Sequence, residues 1–287
     1  MFVTRFAPSP TGYLHLGHAY SALLTFEAAK AERGKFLLRI EDIDKGRCRP
    51  QFEDAIYADL RWLGLTWDGG AMRQSDRFDA YKDAIAVLRD RGLIYRCFKT
   101  RREVADAIAS APHQDDALEP TFSGGPIAPS EEKRRVAAGD PFAWRLSVSE
   151  AKRYLGQDYN HLQYLEENSE PSDGASKRSV NPDEFGDVVL ARKDASVSYH
   201  LASVIDDAAQ EISHVIRGED LRRSAPVHRF LQELLDLPPV IYRHHRLIKN
   251  ADGKRLAKRD RAQTLKEMRE NGATPDEIKR MLKVSLN

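Results

Sequence analysis

Residues 5–18 read RFAPSPTGYLHLGH, and this stretch decides the predicted fold. The short apolar-rich run from Phe2 to Phe6 predicts the first strand of a buried sheet. Two prolines and a glycine at positions 8, 10 and 12 then end the strand in a turn. Over 18–33, apolar residues recur at the spacing of a helix, and Gly34 is a suitable helix stop. The stretch is therefore predicted to form a strand, a tight loop and a helix.

The loop places His15, Gly17 and His18 at the start of this predicted helix. A helix N-terminus presents unpaired N–H groups and a partial positive charge, and both suit phosphate. Two histidines three residues apart can donate to phosphate oxygens from one face, while a glycine lets a base or ribose approach the backbone. These residues are candidate nucleotide ligands; the alternative is a proline-rich turn before an ordinary helix.

A family resemblance rests on the same stretch. Residues 7–18 resemble the "HIGH" signature of class I aminoacyl-tRNA synthetases, and RFAPSPTG is similar to the glutamyl subgroup. A bare HxGH also occurs in nucleotidylyltransferases, so the longer string carries the resemblance. It implies an ATP site at His15, Gly17 and His18, with both histidines catalytic. The residues it implies here for a glutamate pocket are Arg5, Ala7 and Ser9.

The composition is that of an ordinary globular protein, with 41% hydrophobic and 31% charged residues among 287. This length allows a substantial core and two domains. The net charge of +1 does not argue against a nucleic-acid partner, because it hides local asymmetry. No apolar run approaches a membrane span, and Arg5 and Pro8 interrupt the region where a signal peptide would be apolar. We expect a soluble, reduced, cytoplasmic protein, and a monomer.

Glu41 follows the predicted strand 35–40. Ligands of open α/β sheets bind beyond the carboxyl ends of strands, which places Glu41 beside the loop that holds Arg5 and Ser9. Position alone leaves an ammonium ligand and a solvated acidic turn equally plausible. The string RIEDID at 39–44 resembles the glutamyl-family segment whose glutamate holds the substrate amino group, and this favours a binding role. Asp42 and Asp44 are predicted to be structural.

The second half of the chain carries a further pair of candidates, Tyr199 and Arg217. The segments SYHLASVIDDAAQ at 198–210 and RGEDL at 217–221 resemble the second half of the glutamyl-family catalytic domain. The resemblance implies that this tyrosine and this arginine line the amino-acid pocket. Without the resemblance, a tyrosine such as Tyr199 is more often a core or rim residue, and Arg217, at the carboxyl end of a predicted strand, is the better functional candidate.

Basic residues dominate the last part of the chain. RHHR at 243–246, taken alone, is typical of a solvated face, as is KRLAKR at 254–259. Residues 255–259 nevertheless resemble the "KMSKS" loop of the same class. Arg255 replaces the first lysine, and Ala257 and Arg259 replace the two serines. Lys258 matches the lysine that stabilises the reacting phosphate, so the resemblance implies ATP binding by Arg255 and Lys258, with Lys258 catalytic.

The resemblance also predicts the architecture. We expect an α/β fold with a class I synthetase Rossmann-type parallel sheet, split by an α+β insertion and followed by a short helical C-terminal segment. The predicted parts are 1–100, the first half of the catalytic domain; 101–186, an inserted acceptor-binding-like region; 187–240, the second half; and 241–287, the KMSKS-like loop and C-terminal helices. Only 28 residues follow Arg259, so no anticodon-binding domain is expected.

Local patterns give further elements. The predicted strands are 35–40, 93–98, 142–148, 187–190 and 212–216, with 247–248 strand-like. The predicted helices are 50–63, one capped by Ser75, a short one opened by a capping box at 100–103, 220–235, and one or two after 259 with Thr274 as an N-cap. The polar stretches 111–140 and 168–183 are predicted loops.

No zinc site is predicted. The insertion of the resembled enzymes often carries a zinc site built from Cys-x-Cys and a later Tyr…Cys pair, whereas here Phe98 and Lys99 follow Cys97 and no later cysteine exists. One thiolate cannot satisfy the four ligands of zinc, and no spacing links Cys97 to His113 or His161. Cys97 is predicted to be a buried thiol.

The functional hypothesis follows from the resemblance to glutamyl-queuosine tRNA(Asp) synthetases, truncated paralogues of glutamyl-tRNA synthetase. It implies activation of glutamate by ATP, accompanied by Mg²⁺, and transfer to queuosine in the anticodon of tRNA(Asp). The alternatives are a catalytic fragment that charges tRNA(Glu), a non-catalytic paralogue that binds glutamate or tRNA, and a nucleotidylyltransferase-type ligase.

Overall fold

The computed structural model describes residues 1–109, 121–167, 174–192, 197–248 and 263–283. Its strands are β1 (Val3–Phe6), β2 (Lys35–Ile40), β3 (Met72–Arg73), β4 (Ile94–Cys97), β5 (Ala143–Leu146), β6 (Gln163–Glu167), β7 (Ala175–Ser179), β8 (Val189–Arg192), β9 (His214–Gly218) and β10 (Ile241–His245). Its helices are α1 (Leu16–Ala31), α2 (Pro50–Trp62), α3 (Phe78–Asp90), α4 (Arg101–Ala109), α5 (Pro129–Ala137), α6 (Val148–Leu155), α7 (Tyr199–Ala209), α8 (Ser224–Leu234), α9 (Leu265–Glu270) and α10 (Pro275–Leu282).

Two mainly parallel sheets form the centre of the fold. In one, β2 lies between β1 and β3; in the other, β10 lies between β9 and β6, and all these pairs are parallel. The two sheets adjoin, because the Ser213 N–H donates to the carbonyl oxygen of Val3 at 2.9 Å. Parallel neighbours need crossover connections, and α1 supplies the one from β1 to β2. The predicted Rossmann-type parallel sheet is confirmed.

A separate antiparallel sheet contains β4, β5 and β8 in that order. Its middle strand lies within the predicted insertion 101–186. β6 also belongs to that segment, yet it pairs with β10, and β7 extends the same sheet antiparallel to β6. The segment therefore contributes strands to the antiparallel sheet and to the sheet that contains β9 and β10. The domain boundaries stay predictions.

α1 packs against β1, β2 and β9 and begins at Leu16, two residues before its predicted start. The residues that it buries are Ala19, Tyr20, Ala22, Leu23, Thr25 and Ala29. After the helix, Arg33 takes the left-handed conformation, with a φ of 50°. Gly34 is required for a different reason, because a Cβ there would lie 2.2 Å from the Phe2 carbonyl oxygen. This close approach holds the turn before β2 against the start of β1.

The predicted N-cap at Ser75 is wrong. Residues Gln74–Asp76 form a short 3-10 turn, and α3 begins only at Phe78. The Ser75 N–H instead donates to Oδ1 of Asp42 at 2.8 Å. This contact between distant residues orders the turn, and a pattern of sequence neighbours does not reveal it.

Two segments that were predicted as loops contain regular structure. α5 lies within 111–140, with Pro129 at its first position, acidic residues in its first turn and arginines in its last. That charge order matches the helix dipole and was the available signal. β7 lies within 168–183 as a mainly exposed edge strand. Its residues ASKRS do not alternate in polarity, so periodicity could not predict it.

Elements of the second half are displaced from their predicted positions. β8 and β9 each begin two residues later than predicted, and a 3-10 turn at Glu219–Leu221 delays α8 to Ser224. Residues 247–248 are not a strand; the strand is β10, just before them. The basic run 243–246 is therefore largely buried sheet, and the alternative of a solvated face, which a charge run alone suggests, does not hold here.

The predicted helix caps whose partners lie only a few residues away in the sequence are confirmed. The Thr274 side chain accepts from the Glu277 N–H, and Pro275 occupies the first turn of α10, as predicted. The capping box of Thr100 and Glu103 is also present. Across the described ranges, no helix is long and apolar enough to cross a membrane.

Candidate active site

A cavity of about 380 Å³ lies where β1, β2 and β9 end and α1 begins. The predicted site residues that line it are Arg5, Ala7, Ser9, His15, Gly17, His18, Glu41, Tyr199 and Arg217. The carboxyl ends of strands are where open α/β sheets bind ligands. Arg255 and Lys258 lie outside the described residues, so their placement stays a prediction. The structure brings the other nine together, and their roles are argued below as proposals.

The rings of His15 and His18 cap the N-terminus of α1, with centroids 3.9 Å apart. His15 Nδ1 accepts from the Gly17 N–H at 3.0 Å, and His18 Nδ1 accepts from the His15 N–H at 3.2 Å. A ring nitrogen that accepts carries no proton, so in each neutral ring the proton lies on Nε2. Each ring therefore has an Nε2–H donor of the kind that phosphate oxygens accept.

This capping changes the predicted role of the helix end. Because the Gly17 N–H donates to His15, the expectation of an unpaired N–H group is wrong at this residue. The missing side chain of Gly17 serves the same contact, since a Cβ there would lie 3.0 Å from Cε1 of His15. The glycine thus makes room for the imidazole, and the approach of a base or ribose stays a prediction.

A buried cluster of ion pairs forms the cavity wall beside β1 and β2. Arg5 donates from Nε and Nη2 to the two carboxylate oxygens of Asp207, at 2.9 and 3.4 Å. Arg39 donates from Nη1 to Asp207 at 2.6 Å and from Nη2 to Glu41 at 3.2 Å. None of these side chains belongs to a residue more than 8% exposed. With both carboxylates ionised, positive and negative charges balance within the cluster.

Burial and pairing move the pKa values of the two carboxyls in opposite directions. Burial raises the pKa of Glu41, and the charges of Arg39 and Arg5 offset only part of the rise. Burial also acts to raise the pKa of Asp207, but the charges and hydrogen bonds of Arg5 and Arg39 outweigh it and hold that pKa below its usual value. Asp207 is therefore a firm counter-ion, whereas Glu41 would gain from a further cation in the cavity.

Arg217 forms the opposite wall, near the end of β9. Its Nη1 donates to the Tyr199 hydroxyl at 3.2 Å, and its Nε donates to Nε2 of His244 at 3.3 Å. The guanidinium carbon lies 5.0 Å from the centre of the Tyr242 ring. Nη2 is buried and has no hydrogen-bond partner among the described residues. A buried charged donor without an acceptor is costly, so we expect a ligand acceptor at this atom.

A match to a family model decides the classification. Residues 1–284 match the model described as "tRNA synthetases class I (E and Q), catalytic domain". The chain belongs to this family. It is therefore an aminoacyl-tRNA synthetase-like ligase, and its parallel sheets are those of a class I synthetase catalytic domain.

Two kinds of similar protein illustrate the family. A glutamyl-Q tRNA(Asp) synthetase from Rhodobacter capsulatus is 46% identical over 98% of this chain and 99% of that protein. One from Nocardia farcinica is 41% identical over 98% of this chain and 84% of that protein. A glutamate–tRNA ligase from Hydrogenobaculum sp. is 35% identical, but this chain covers only 57% of it.

A solved class I synthetase structure has a similar fold. A glutamate tRNA ligase from Elizabethkingia meningosepticum, crystallised in complex with its amino acid, superposes with a TM-score of 0.76 at 27% identity. The match covers 98% of this chain and 60% of that one, so this chain corresponds to about three fifths of the ligase.

Sequence analysis of the synthetase motifs missed Arg39 and the residues that hold the two cavity arginines. Arg39 was detectable, because it is a charge inside an otherwise apolar strand and a buried arginine needs a carboxylate. Asp207 was noticed only as part of a resembling string. His244 was hidden in a run read as solvated, and Glu166, its partner, lies 78 residues away in the chain.

Cys97 is a buried free thiol, as predicted, packed in a small cluster with Tyr95 and Phe122. In the part of the chain that the structure describes, no three His, Cys, Asp or Glu side chains are grouped to hold a metal ion. The absence of zinc stays a prediction. Elemental analysis of protein purified without added metal should find well below one equivalent, and a stoichiometric, chelator-resistant zinc would contradict it.

Proposed function

We propose that this protein activates glutamate with ATP, forming glutamyl-adenylate, and then transfers glutamate to queuosine in the anticodon of tRNA(Asp). One observation carries the first step: the cavity combines an arginine donor that has no partner among the described residues, a buried carboxylate and a histidine-capped helix end. The relatives named glutamyl-Q tRNA(Asp) synthetase, matched over nearly the whole chain, support the second step.

The cavity lining offers a counterpart for each charged group of glutamate, although Arg5 already shares its charge with Asp207. Glutamate has two carboxylates and one ammonium, and the cavity offers Arg5 and Arg217 as cations, Glu41 as the anion and Tyr199 as a neutral donor. Arg217 keeps Nη2 for a carboxylate oxygen. Charge-assisted bonds of this kind are the stronger class of hydrogen bond. The substrate ammonium beside Glu41 would stabilise its ionised form and offset the effect of burial on its pKa.

Activation is an in-line displacement at the α-phosphorus of ATP. An oxygen of the glutamate α-carboxylate forms the new bond to phosphorus, and pyrophosphate leaves with the electron pair of the broken bond. ATP enters as its Mg²⁺ complex, so the ion arrives with the substrate. Catalysis here needs positioning and positive charge. The Nε2–H groups of His15 and His18 would donate to phosphate oxygens, with Lys258 and Arg255 adding charge.

Transfer is then an attack on the activated carbonyl. A hydroxyl of the queuosine cyclopentene-diol forms an ester with the glutamyl carbonyl carbon and gives up its proton to AMP or to water. AMP leaves with the electron pair of the broken acyl–phosphate bond. We propose that the segment 101–186, which carries β5 and α5, is the inserted acceptor-binding-like region, and that the protein acts as a monomer.

The deciding experiment measures incorporation of labelled glutamate into three purified tRNAs. We expect glutamylation of tRNA(Asp) that contains queuosine and none of unmodified tRNA(Asp) or tRNA(Glu). Charging of tRNA(Glu) instead would support the catalytic-fragment alternative. Arg217→Ala should abolish incorporation. Arg89→Ala is the matched control, since it removes an exposed arginine that pairs only with neighbouring Asp90 among the described residues.

Pyrophosphate exchange isolates the activation step. Exchange with ATP and glutamate should proceed without tRNA, because the motifs for both substrates belong to one chain. Exchange that appears only on addition of tRNA(Glu) would contradict the queuosine assignment. Glutamate binding without exchange under any condition would support a non-catalytic paralogue.

Lys258 is proposed to stabilise charge in the transition state. Lys258→Ala should lower the exchange rate by roughly 10²–10³, the scale for losing one preorganised donor, with a smaller change in glutamate affinity. Lys82→Ala, which removes an exposed lysine on α3, is the control and should leave the rate unchanged. If Lys258→Ala also leaves it unchanged, Arg255 or Arg259 provides the cation.

A further inference from the structure

His244 connects a buried carboxylate to the cavity arginine. It lies on β10 with a fully buried side chain, between Glu166 on β6 and Arg217 on β9. Its Nδ1 is 2.6 Å from Oε1 of Glu166, and its Nε2 is 3.3 Å from Nε of Arg217. These contacts place the three side chains in a row that ends at the cavity.

The chemistry of the row assigns its protons. A guanidinium has only donors, so Nε2 of His244 must accept and carries no proton. The remaining ring proton lies on Nδ1 and is donated to Glu166. Burial, followed by the charge of Arg217, lowers the pKa of His244 to about 4, although the bond to Glu166 acts against this. The ring is therefore neutral at neutral pH and has one fixed tautomer.

A neutral link serves a substrate site better than a direct ion pair. Glu166 is already paired with Arg178 at 3.0 Å and with Arg222 at 3.1 Å. If its carboxylate contacted Arg217 directly, it would compete with a substrate carboxylate for the same fork. His244 instead holds Nε with an uncharged acceptor and leaves the positive charge to a ligand.

The other contacts of Arg217 also fix the orientation of its guanidinium group. Tyr199 accepts from Nη1, and the Tyr242 ring, which is parallel to the His244 ring within 1°, lies beside the guanidinium. A planar guanidinium held at two nitrogens has its third nitrogen fixed by geometry. That third nitrogen is Nη2, which has no partner in the described part of the chain.

We propose that Glu166 and His244 are positioning residues that aim Nη2 of Arg217 at a carboxylate of the substrate, and so favour glutamate over its amide glutamine. The inference rests on the proposed function, because it takes glutamate as the ligand of this arginine. Neither residue touches the substrate; both act through Arg217.

Two substitutions of His244 separate positioning from folding. His244→Phe keeps a ring beside Tyr242 but removes the acceptor, whereas His244→Gln keeps an oxygen that can accept from Nε of Arg217. We expect His244→Phe to raise the KM for glutamate in pyrophosphate exchange by ~10- to 100-fold, the scale of a misplaced substrate-binding group. Selectivity over glutamine should fall with it, and the KM for ATP should not change. His244→Gln should recover most of the selectivity.

A matched control lies in the same sheet. Glu167 and His214 form a second carboxylate–histidine pair between β6 and β9, at 3.7 Å, without contact to Arg217. His214→Phe should change thermal stability but not the ratio of glutamate to glutamine activation. If His244→Phe does not fold, Glu166→Gln replaces it. Its amide can present either an acceptor or a donor to Nδ1, so an intermediate loss of selectivity is expected.

The outcomes are distinguishable. If the wild-type protein neither binds glutamate by calorimetry nor supports exchange, the proposed function fails and this inference fails with it. If the wild type is active and selective but the folded His244 or Glu166 variants keep the wild-type selectivity, only the positioning role is overturned. Equal losses in His244→Phe and His214→Phe would also overturn it, because they would indicate a general effect on the sheet.

Discussion

The two arginines of the cavity are held in different ways on its two sides. On the β1–β2 side, Arg5 places two nitrogens directly on the carboxylate of Asp207. On the β9–β10 side, Arg217 meets a neutral histidine, and the carboxylate of Glu166 lies one residue further back. A direct carboxylate fixes an arginine but neutralises it, whereas a neutral acceptor fixes it and leaves its charge available.

The difference suggests separate tasks for the two sides. The Arg5 side includes Arg39, whose side chain is fully buried and whose partners are Asp207 and Glu41, besides the side-chain oxygen of Gln210. Its charges compensate one another before any ligand binds. Nε of Arg39 and Nη2 of Arg217 both lack a hydrogen-bond partner among the described residues, but only Arg217 lines the cavity. The Arg217 side is therefore the one that we expect to select for a carboxylate.

The largest expected effect is a loss of stability when the shared counter-ion of Arg5 and Arg39 is removed. Asp207→Asn would leave Arg5 and Arg39 buried without their shared counter-ion. Removing one partner of a buried ion pair destabilises by roughly 3–5 kcal/mol, because a charge remains uncompensated. Urea denaturation followed by circular dichroism should show a loss of this size.

The control for that experiment is Asp236→Asn. Asp236 pairs with Arg91 at 2.5 Å, but its side chain is 70% exposed, and exposed pairs contribute about 1 kcal/mol or less. Similar losses of unfolding free energy in both variants would mean that the Asp207 carboxylate is not a strong counter-ion for the two buried arginines.

The next effect is on selectivity for glutamate over glutamine, and it compares the two cavity arginines directly. Wild-type protein should activate glutamate over glutamine by ~10²-fold or more, since an amide would leave a guanidinium partly unpaired. Lysine keeps the charge of an arginine but loses its fork. The arginine that binds the side-chain carboxylate should lose selectivity when changed to lysine, and the other should lose activity towards both substrates.

We expect Arg217→Lys to show the loss of selectivity, because Arg5 is already committed to Asp207. Pyrophosphate exchange with each amino acid measures both variants. If Arg5→Lys loses selectivity and Arg217→Lys does not, the two arginines have exchanged roles. If the wild type activates glutamine as well as glutamate, the assignment of this pocket is wrong.

The sequence predicted the fold best where the determining contacts are local. The bounds of β2, the strand–loop–helix order of the first segment and the Thr274 cap depend on neighbours a few residues apart. It failed where structure depends on distant partners. Ser75 is fixed by Asp42, and β7 forms on the edge of β6 although its own residues carry no pattern.

The same distinction holds for the site. Residues at strand ends and in recognisable motifs, such as Glu41 and Arg217, could be predicted as candidates because position and type are visible in the sequence. The structure places both at the cavity, and their roles stay predictions. Their supports could not be predicted, because the partners are far apart in the chain. Asp207 lies 202 residues from Arg5, and no local pattern indicates that pairing.

The smallest expected effect, taken per pH unit and per histidine, is a pH dependence of stability that belongs to the Arg217 side. His200 and His228 lie there, with ring centroids 5.3 Å apart. Burial, followed by the charge of Arg217, lowers the pKa of His200 to about 4 and that of His228 well below its usual 6.5. As the pH falls below about 6.5, these histidines bind protons in the unfolded chain but not in the folded protein.

The free energy of unfolding should therefore fall as the pH drops from 6.5 towards 4, by at most ~1.4 kcal/mol per pH unit for each histidine. Asp207 behaves differently, because its pKa is lowered from 3.8, so its stabilisation is lost only below that value. His228→Leu should flatten the slope between pH 6.5 and 4.5 in urea denaturation. His161→Leu, which replaces an exposed histidine, should keep the wild-type slope. If His228→Leu keeps it as well, His228 takes up its proton equally in both states, and the neutral histidines do not distinguish this side of the cavity.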